Sequence, residues 1–193
     1  METKQNLPIL AFPSQKKWEE WLAKNHPTSK GLWLKIAKKG AGTDTCNYAE
    51  ALEVALCYGW IDGQKGALDA EFWLLKFTPR GPRSQWSKVN REKATALIEN
   101  GRMQPAGLAE VERAKADGRW EAAYDAQSKA TVPEDLQREL DANPDAAAFF
   151  ATLESYNRYA ILYRIQEAKK PETRAKRIEK FIGMLKRGEK VHP

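Results

Sequence analysis

The apolar residues of this chain change their spacing near Gly118, and that change constrains the fold more than any other feature. Before it, alternation with a period of two and helical spacing follow each other closely; after it, only helical spacing is found. Leu32, Leu34 and Ile36 alternate onto one face and read as a strand. Phe72 to Phe77 is a nearly continuous apolar run, as in a strand covered on both faces. Ser14 can cap a helix that gathers Trp18, Trp21 and Leu22 and stops before Pro27. A second helix spans about Tyr48 to Tyr58. Gly59 suits the left-handed position after it, and Trp60 begins another strand. Ser87 caps a helix with Val89, Leu97 and Ile98 as its apolar residues, and Pro105 begins one that ends near Asp117-Gly118.

Beyond Gly118, Thr131-Val132-Pro133-Glu134 has capping-box spacing, and Asn143-Pro144 reads as a cap followed by a first-turn proline. Ile161, Leu162, Ile165 and Ala168 line one helix face; Ala175, Ile178, Phe181, Ile182 and Leu185 line another. The expected class is α+β: a small mixed α/β N-terminal domain over 1–118, a packed connector over 119–131, and an all-helical segment over 132–193.

With 193 residues, 42% of them apolar, the chain can bury a core. No stretch approaches the ~20 apolar residues of a membrane-spanning helix, and Met1 to Phe12 lacks a signal-peptide run, so no membrane insertion and a cytoplasmic location are expected. Cys46 and Cys57 cannot form a disulfide framework, and His26 and His192 give no zinc-ligand spacing, so neither cofactor nor metal is expected. The net charge of +6 is uneven: basic from Lys76 to Lys93, acidic through the middle, basic again at the end.

The first basic block carries the best candidate site. Arg80 and Arg83 lie in a loop stiffened by Pro79 and Pro82, followed by Trp86 and a helix start at Ser87 with Asn90 in its first turn. Paired guanidinium N–H groups and a helix N-terminus suit phosphate or carboxylate. Trp60 and Asp62, in Trp60-Ile61-Asp62-Gly63, could complete a hollow with them. The plainer reading gives Arg80 and Arg83 structural carboxylate partners, Trp86 a place in the core, and Ser87 a capping role alone. The last basic block offers an alternative: Lys170, Arg174 and Arg177 share a helix face that could meet nucleic-acid phosphates, or could simply be solvated.

Several strings resemble the YdeI/OmpD-associated, or bacteriocin-protection, family of bacterial proteins. They include Leu32-Trp33-Leu34-Lys35, Ala55 to Gly63, Phe77-Thr78-Pro79-Arg80, Ser84 to Asn90, Ala114 to Trp120, Val132 to Leu136 and Ala168 to Arg174. The resemblance covers nearly the whole chain and implies stress resistance toward bacteriocins, but no reaction and no agreed catalytic residues. The leading expectation is therefore a non-enzymatic protein that binds an anionic small molecule. Nucleic-acid binding comes second, and an enzyme acting on a phosphorylated small molecule third. The sequence carries no signal for oligomeric state.

Overall fold

The computed structural model describes residues 2–125, 130–168 and 170–192. Contacts divide the chain into two compact units, Met1–Ala123 and Tyr124–Pro193. The α+β class holds: the first unit builds a five-stranded sheet with helices, and the second is helical.

In the first unit the order is β1 (Thr3–Lys4), β2 (Leu7–Leu10), α1 (Gln15–Asn25), β3 (Leu32–Ala37), α2 (Tyr48–Cys57), β4 (Trp60–Ala67), β5 (Phe72–Pro79), α3 (Lys88–Glu99) and α4 (Pro105–Ala116). The strands lie in the order β1-β2-β3-β5-β4. Strands β2 and β3 are parallel, joined through α1, and β5 runs antiparallel between β3 and β4. The predicted caps act as expected at Ser14 and Ser87, which accept from the Lys17 and Asn90 backbone N–H groups. Gly59 follows α2 with φ 73°. One face of the sheet carries Leu32, Leu34, Ile36, Leu75 and Phe77 into a core with Trp18, Leu22, Leu56, Leu97 and Val111 from the four helices. Gly107 lets α4 close on α2: a Cβ there would stand 2.4 Å from the Cys57 carbonyl oxygen.

Two details of this unit depart from expectation. The hairpin β1–β2 was not foreseen, because its turn is Gln5-Asn6, both at positive φ without a glycine to signal it. Val89 does not join the core: it is 40% exposed at the start of α3, where Ala94 and Leu97 face inward instead. Trp120 and Ala123, in the stretch expected as a packed connector, pack in the first core; 126–129 of that stretch lie outside the described residues.

The second unit contains α5 (Glu134–Asp141), α6 (Pro144–Thr152), α7 (Ser155–Gln166) and α8 (Pro171–Lys186). Its core gathers Leu136, Leu140, Phe150, Ile161, Leu162, Ile165, Ile178, Phe181, Ile182 and Leu185. Pro144 opens α6 as its spacing predicts. Two capping expectations fail. Helix α5 starts behind Pro133 without a side-chain cap, and the Asn143 amide donates backward to the Glu139 carbonyl. Ala175 is exposed on α8 because the inward stripe begins one turn later, at Ile178. No helix of the described residues is long and apolar enough to cross a membrane.

Candidate functional site

Strand β5 ends at Pro79, and the Arg80 N–H donates to the Gly59 carbonyl, tying the strand end to the α2–β4 junction. The chain then folds tightly: the Gly81 N–H donates to Ser84 Oγ at 2.9 Å before Ser87 starts α3. Carbonyls of this loop point toward side chains from elsewhere in the unit. Arg80 donates to the Gln85 carbonyl at 3.2 Å, Arg113 of α4 to the Gly81 carbonyl at 3.2 Å, and Arg119 to the Ser84 carbonyl at 2.7 Å. Arg91 of α3 donates to the Trp120 carbonyl at 3.1 Å. The Arg80 guanidinium lies 3.5 Å from the Trp86 ring centre, and Trp120 meets Trp86 edge-on at 4.9 Å.

Arg80 and Arg119 are each only 5% exposed, rare for a side chain that stays charged. Two carboxylates accompany them. Asp117 grips Arg119 with both oxygens at 2.8 Å, and Glu110 pairs with Arg113. Burial pushes the Glu110 carboxyl up from its ordinary pKa, against the pull of Arg113, Arg80 and Arg119. At this corner, Trp86 Nε1 and Arg113 Nε are buried with no acceptor among the described residues. A buried N–H left unpaired costs roughly 1–3 kcal/mol, so this environment favours an added acceptor. The cluster reaches the surface through Arg113, whose side chain is 40% exposed.

Of the residues proposed from sequence, Arg80, Trp86 and Ser87 share this corner, with Asn90 giving its N–H to Ser87 Oγ at 3.1 Å. Trp60 is buried elsewhere, edge-on to Trp18 and Trp21 at 6.3 and 5.9 Å. Asp62 accepts from the Tyr48 hydroxyl at 3.1 Å. Arg83 is exposed, two residues outward from Gly81. Sequence reasoning missed Arg91, Glu110, Arg113, Arg119 and Trp120. Only Gly118-Arg119-Trp120 offered a signal, an arginine–indole pair just past a helix end, and it was absorbed into the connector. Cys46 and Cys57 are both buried, and burial pushes the Cys46 thiol up to about 12 and that of Cys57 up to about 11.

The alternative residues of the second unit are committed differently. Arg174 donates to both Asp135 oxygens at 2.5 and 2.8 Å and to the Ile165 carbonyl. Arg177 donates to the Arg164 carbonyl and lies 3.4 Å from Glu167. Lys170 remains exposed ahead of α8. Both signs of charge, Asp135, Arg138, Arg174 and Glu179 among them, line a groove of about 1040 Å³ between α5 and α8.

The class defined here is a two-unit α+β protein with a guanidinium–indole cluster at the end of its sheet. The chain belongs to the family of a domain of unknown function, DUF8412, whose model matches residues 10–110. A second match, to the family described as bacteriocin-protection, YdeI or OmpD-associated, covers residues 129–188. The resemblance read from sequence is therefore carried by the helical unit, and the strings from Leu32 to Asn90 fall within the DUF8412 match. No curated protein and no solved structure matches the chain.

Proposed function

We propose that this bacteriocin-protection-like protein binds a small anion, phosphate or carboxylate, at the guanidinium–indole cluster and does so without catalysis. The observation that supports this reading is the surplus of buried N–H donors, Trp86 Nε1 and Arg113 Nε, beside Arg80 and Arg119. Guanidinium forks match the paired oxygens of such anions. They cannot take up or release a proton near neutrality, so they orient and neutralise a ligand without transforming it. The ligand would enter past Arg113 and displace its bond to Glu110, freeing a carboxyl that burial already drives toward protonation.

Titration of the full chain with inorganic phosphate and pyrophosphate, followed by tryptophan fluorescence, tests the reading. Saturable binding is expected, weakened about tenfold or more in Arg113→Gln, which loses one charged hydrogen-bonding partner of about 1.5 kcal/mol or more. Trp86→Phe keeps the ring and removes the N–H, and should weaken binding less. Absence of saturable binding, or equal affinity in Arg113→Gln, overturns the proposal.

A further inference from the structure

The sheet face turned away from the helices holds a second concentration of positive charge, independent of the arginine cluster. Trp33 on β3 and Leu74 on β5 are fully buried yet belong to neither core. They face the opposite side from Leu34 and Leu75, since side chains alternate along a strand. The hairpin β1–β2 folds over the rim of this face, and the Trp33 indole N–H donates to the Lys4 carbonyl at 2.9 Å. The Lys4 ammonium lies 4.6 Å above the Trp33 ring and that of Lys76 5.9 Å from it, while Lys35 stands 3.9 Å from the centre of Phe72. Gly66 makes room for this layer: a Cβ there would meet Lys4 Nζ at 2.6 Å and the Trp33 ring at 3.5 Å. Gln5 accepts from Lys76 Nζ at 3.2 Å, so the hairpin turn helps to hold the ammonium in place.

Two ammonium groups thus converge on one indole, with a third two residues along the same strand. Among the described residues none of the three forms an ion pair. Asp62, the one acidic residue in the strands, turns instead to Tyr48 of α2, while Asp69, between β4 and β5, is near enough to Lys35 for that ammonium to add to the backbone bonds that hold its carboxyl below the ordinary value. Cation–π contact and buried methylene stems stabilise such lysines, but like charges side by side repel until an anion lies between them.

We propose that this face docks the phosphate backbone of a nucleic acid, without reading its sequence. Lysine ammoniums serve phosphates as point charges, and Trp33, fully covered, cannot stack a base. A bilayer is the poorer fit, because the large exposed apolar residues Tyr48, Leu68, Val89, Leu108 and Tyr156 do not lie on the lysine-bearing positions of β1, β3 and β5.

The test is anisotropy of a labelled oligothymidylate with the full chain across a salt series. The wild type should bind at low salt and lose affinity steeply. The triple variant Lys4→Gln/Lys35→Gln/Lys76→Gln should bind about tenfold more weakly or worse, with a log–log salt slope shallower by about 2, at about 0.7 per lost contact on a single strand. Its folding is checked by tryptophan fluorescence, and Lys35→Gln alone, on the outer edge of the cluster, should show a slope change of about 0.7. Arg174→Gln/Arg177→Gln should bind like the wild type. The proposal is overturned by no binding at low salt, by an unchanged triple variant, by loss of binding in the Arg174/Arg177 variant, or by lysine-dependent binding to phosphatidylserine vesicles without any to the oligonucleotide.

Discussion

The two units handle arginine in opposite ways. In the first, Arg80, Arg113 and Arg119 give N–H groups to the Gln85, Gly81 and Ser84 carbonyls of one loop, and two of the three are almost wholly buried. In the second, Arg158, Arg174 and Arg177 give theirs to carbonyls in the last turns of α6 and α7, near the surface and, for Arg174 and Arg177, with carboxylates alongside. Both arrangements satisfy backbone oxygens that have no helical or sheet partner. Water could do the same for the second unit's helix ends, but it could not take the place of guanidiniums as buried as those of Arg80 and Arg119. The first unit's guanidiniums are therefore integral to its fold, and the second unit's are adjustments to it. Aromatic content divides the same way. All seven tryptophans precede Ala123, with Trp18 stacked on Trp21 at 5.5 Å, whereas the second core is aliphatic and phenylalanine.

That contrast supplies its own readout, since tryptophan fluorescence follows the first unit only. The largest expected effect is that of Trp86→Ala. This side chain is 2% exposed and lies between Arg80 and Trp120, so its loss opens a cavity and removes the surface on which a buried guanidinium rests. A cost of about 3–5 kcal/mol is expected, measured as a lower urea midpoint in fluorescence. A midpoint unchanged within about 0.5 kcal/mol would mean that the loop holds itself without the indole.

Alkali should separate the units next. Both cysteines lie in the first unit, with thiols pushed up by burial to about 12 for Cys46 and about 11 for Cys57. Raised pKa values mean that the unfolded chain loses its protons first. Stability is complete below about pH 8.5, the ordinary thiol value, and falls as pH rises toward the folded values, at up to about 1.4 kcal/mol per pH unit per thiol. The second unit has no cysteine, and its Tyr159, pushed up to about 12 by burial, begins to cost stability only above about pH 10. Urea midpoints at pH 8, 9 and 10 should therefore decline in fluorescence, and Cys46→Ala with Cys57→Ala should flatten the decline.

Acid probes the second unit through Asp135, whose carboxyl Arg174 holds below its usual value. A depressed pKa stabilises above about pH 4 and is lost as pH falls through the lower, folded value. Asp135→Asn should cost about 1 kcal/mol at pH 7, discounted for the partial exposure of both side chains, and nothing at pH 2. Far-ultraviolet circular dichroism in urea measures the difference; a cost that persists at pH 2 would assign it to packing.

How much of this could be read from the residues follows from range. Caps at Ser14 and Ser87, the strand at Leu32 and the α8 stripe from Ile178 are local patterns, and the fold class was legible from them. Thr131 failed as a cap because a proline already fixes the entry to α5. The candidate site was legible only in its sequential part. Arg80 and Trp86 stand six residues apart in one loop, but Arg113 and Arg119 arrive from α4 and beyond it, and no spacing announces a contact across more than 30 residues. Trp60 was misleading for the same reason: neighbouring Asp62 in sequence says nothing of which face of the sheet or which aromatic cluster receives it.

Arg83 sharpens that lesson and carries the smallest expected effect. In sequence it is the twin of Arg80, three residues on and beside a proline. Pro82 and the Gly81–Ser84 turn reverse the chain, so Arg80 points into the unit over Trp86 while Arg83 faces solvent with no hydrogen bond or ion pair among the described residues. Arg83→Ala should therefore change the fluorescence-detected urea midpoint by no more than about 0.5 kcal/mol, whereas Arg80→Ala should approach the effect of Trp86→Ala. Phosphate titration gives the stricter comparison. If Arg83 lies outside the binding cluster, its removal lowers only the long-range attraction of the anion, a loss that added salt erases. A loss of affinity in Arg83→Ala that survives high salt would place its guanidinium on the ligand and move the centre of the site outward from Arg113 toward the tip of the loop.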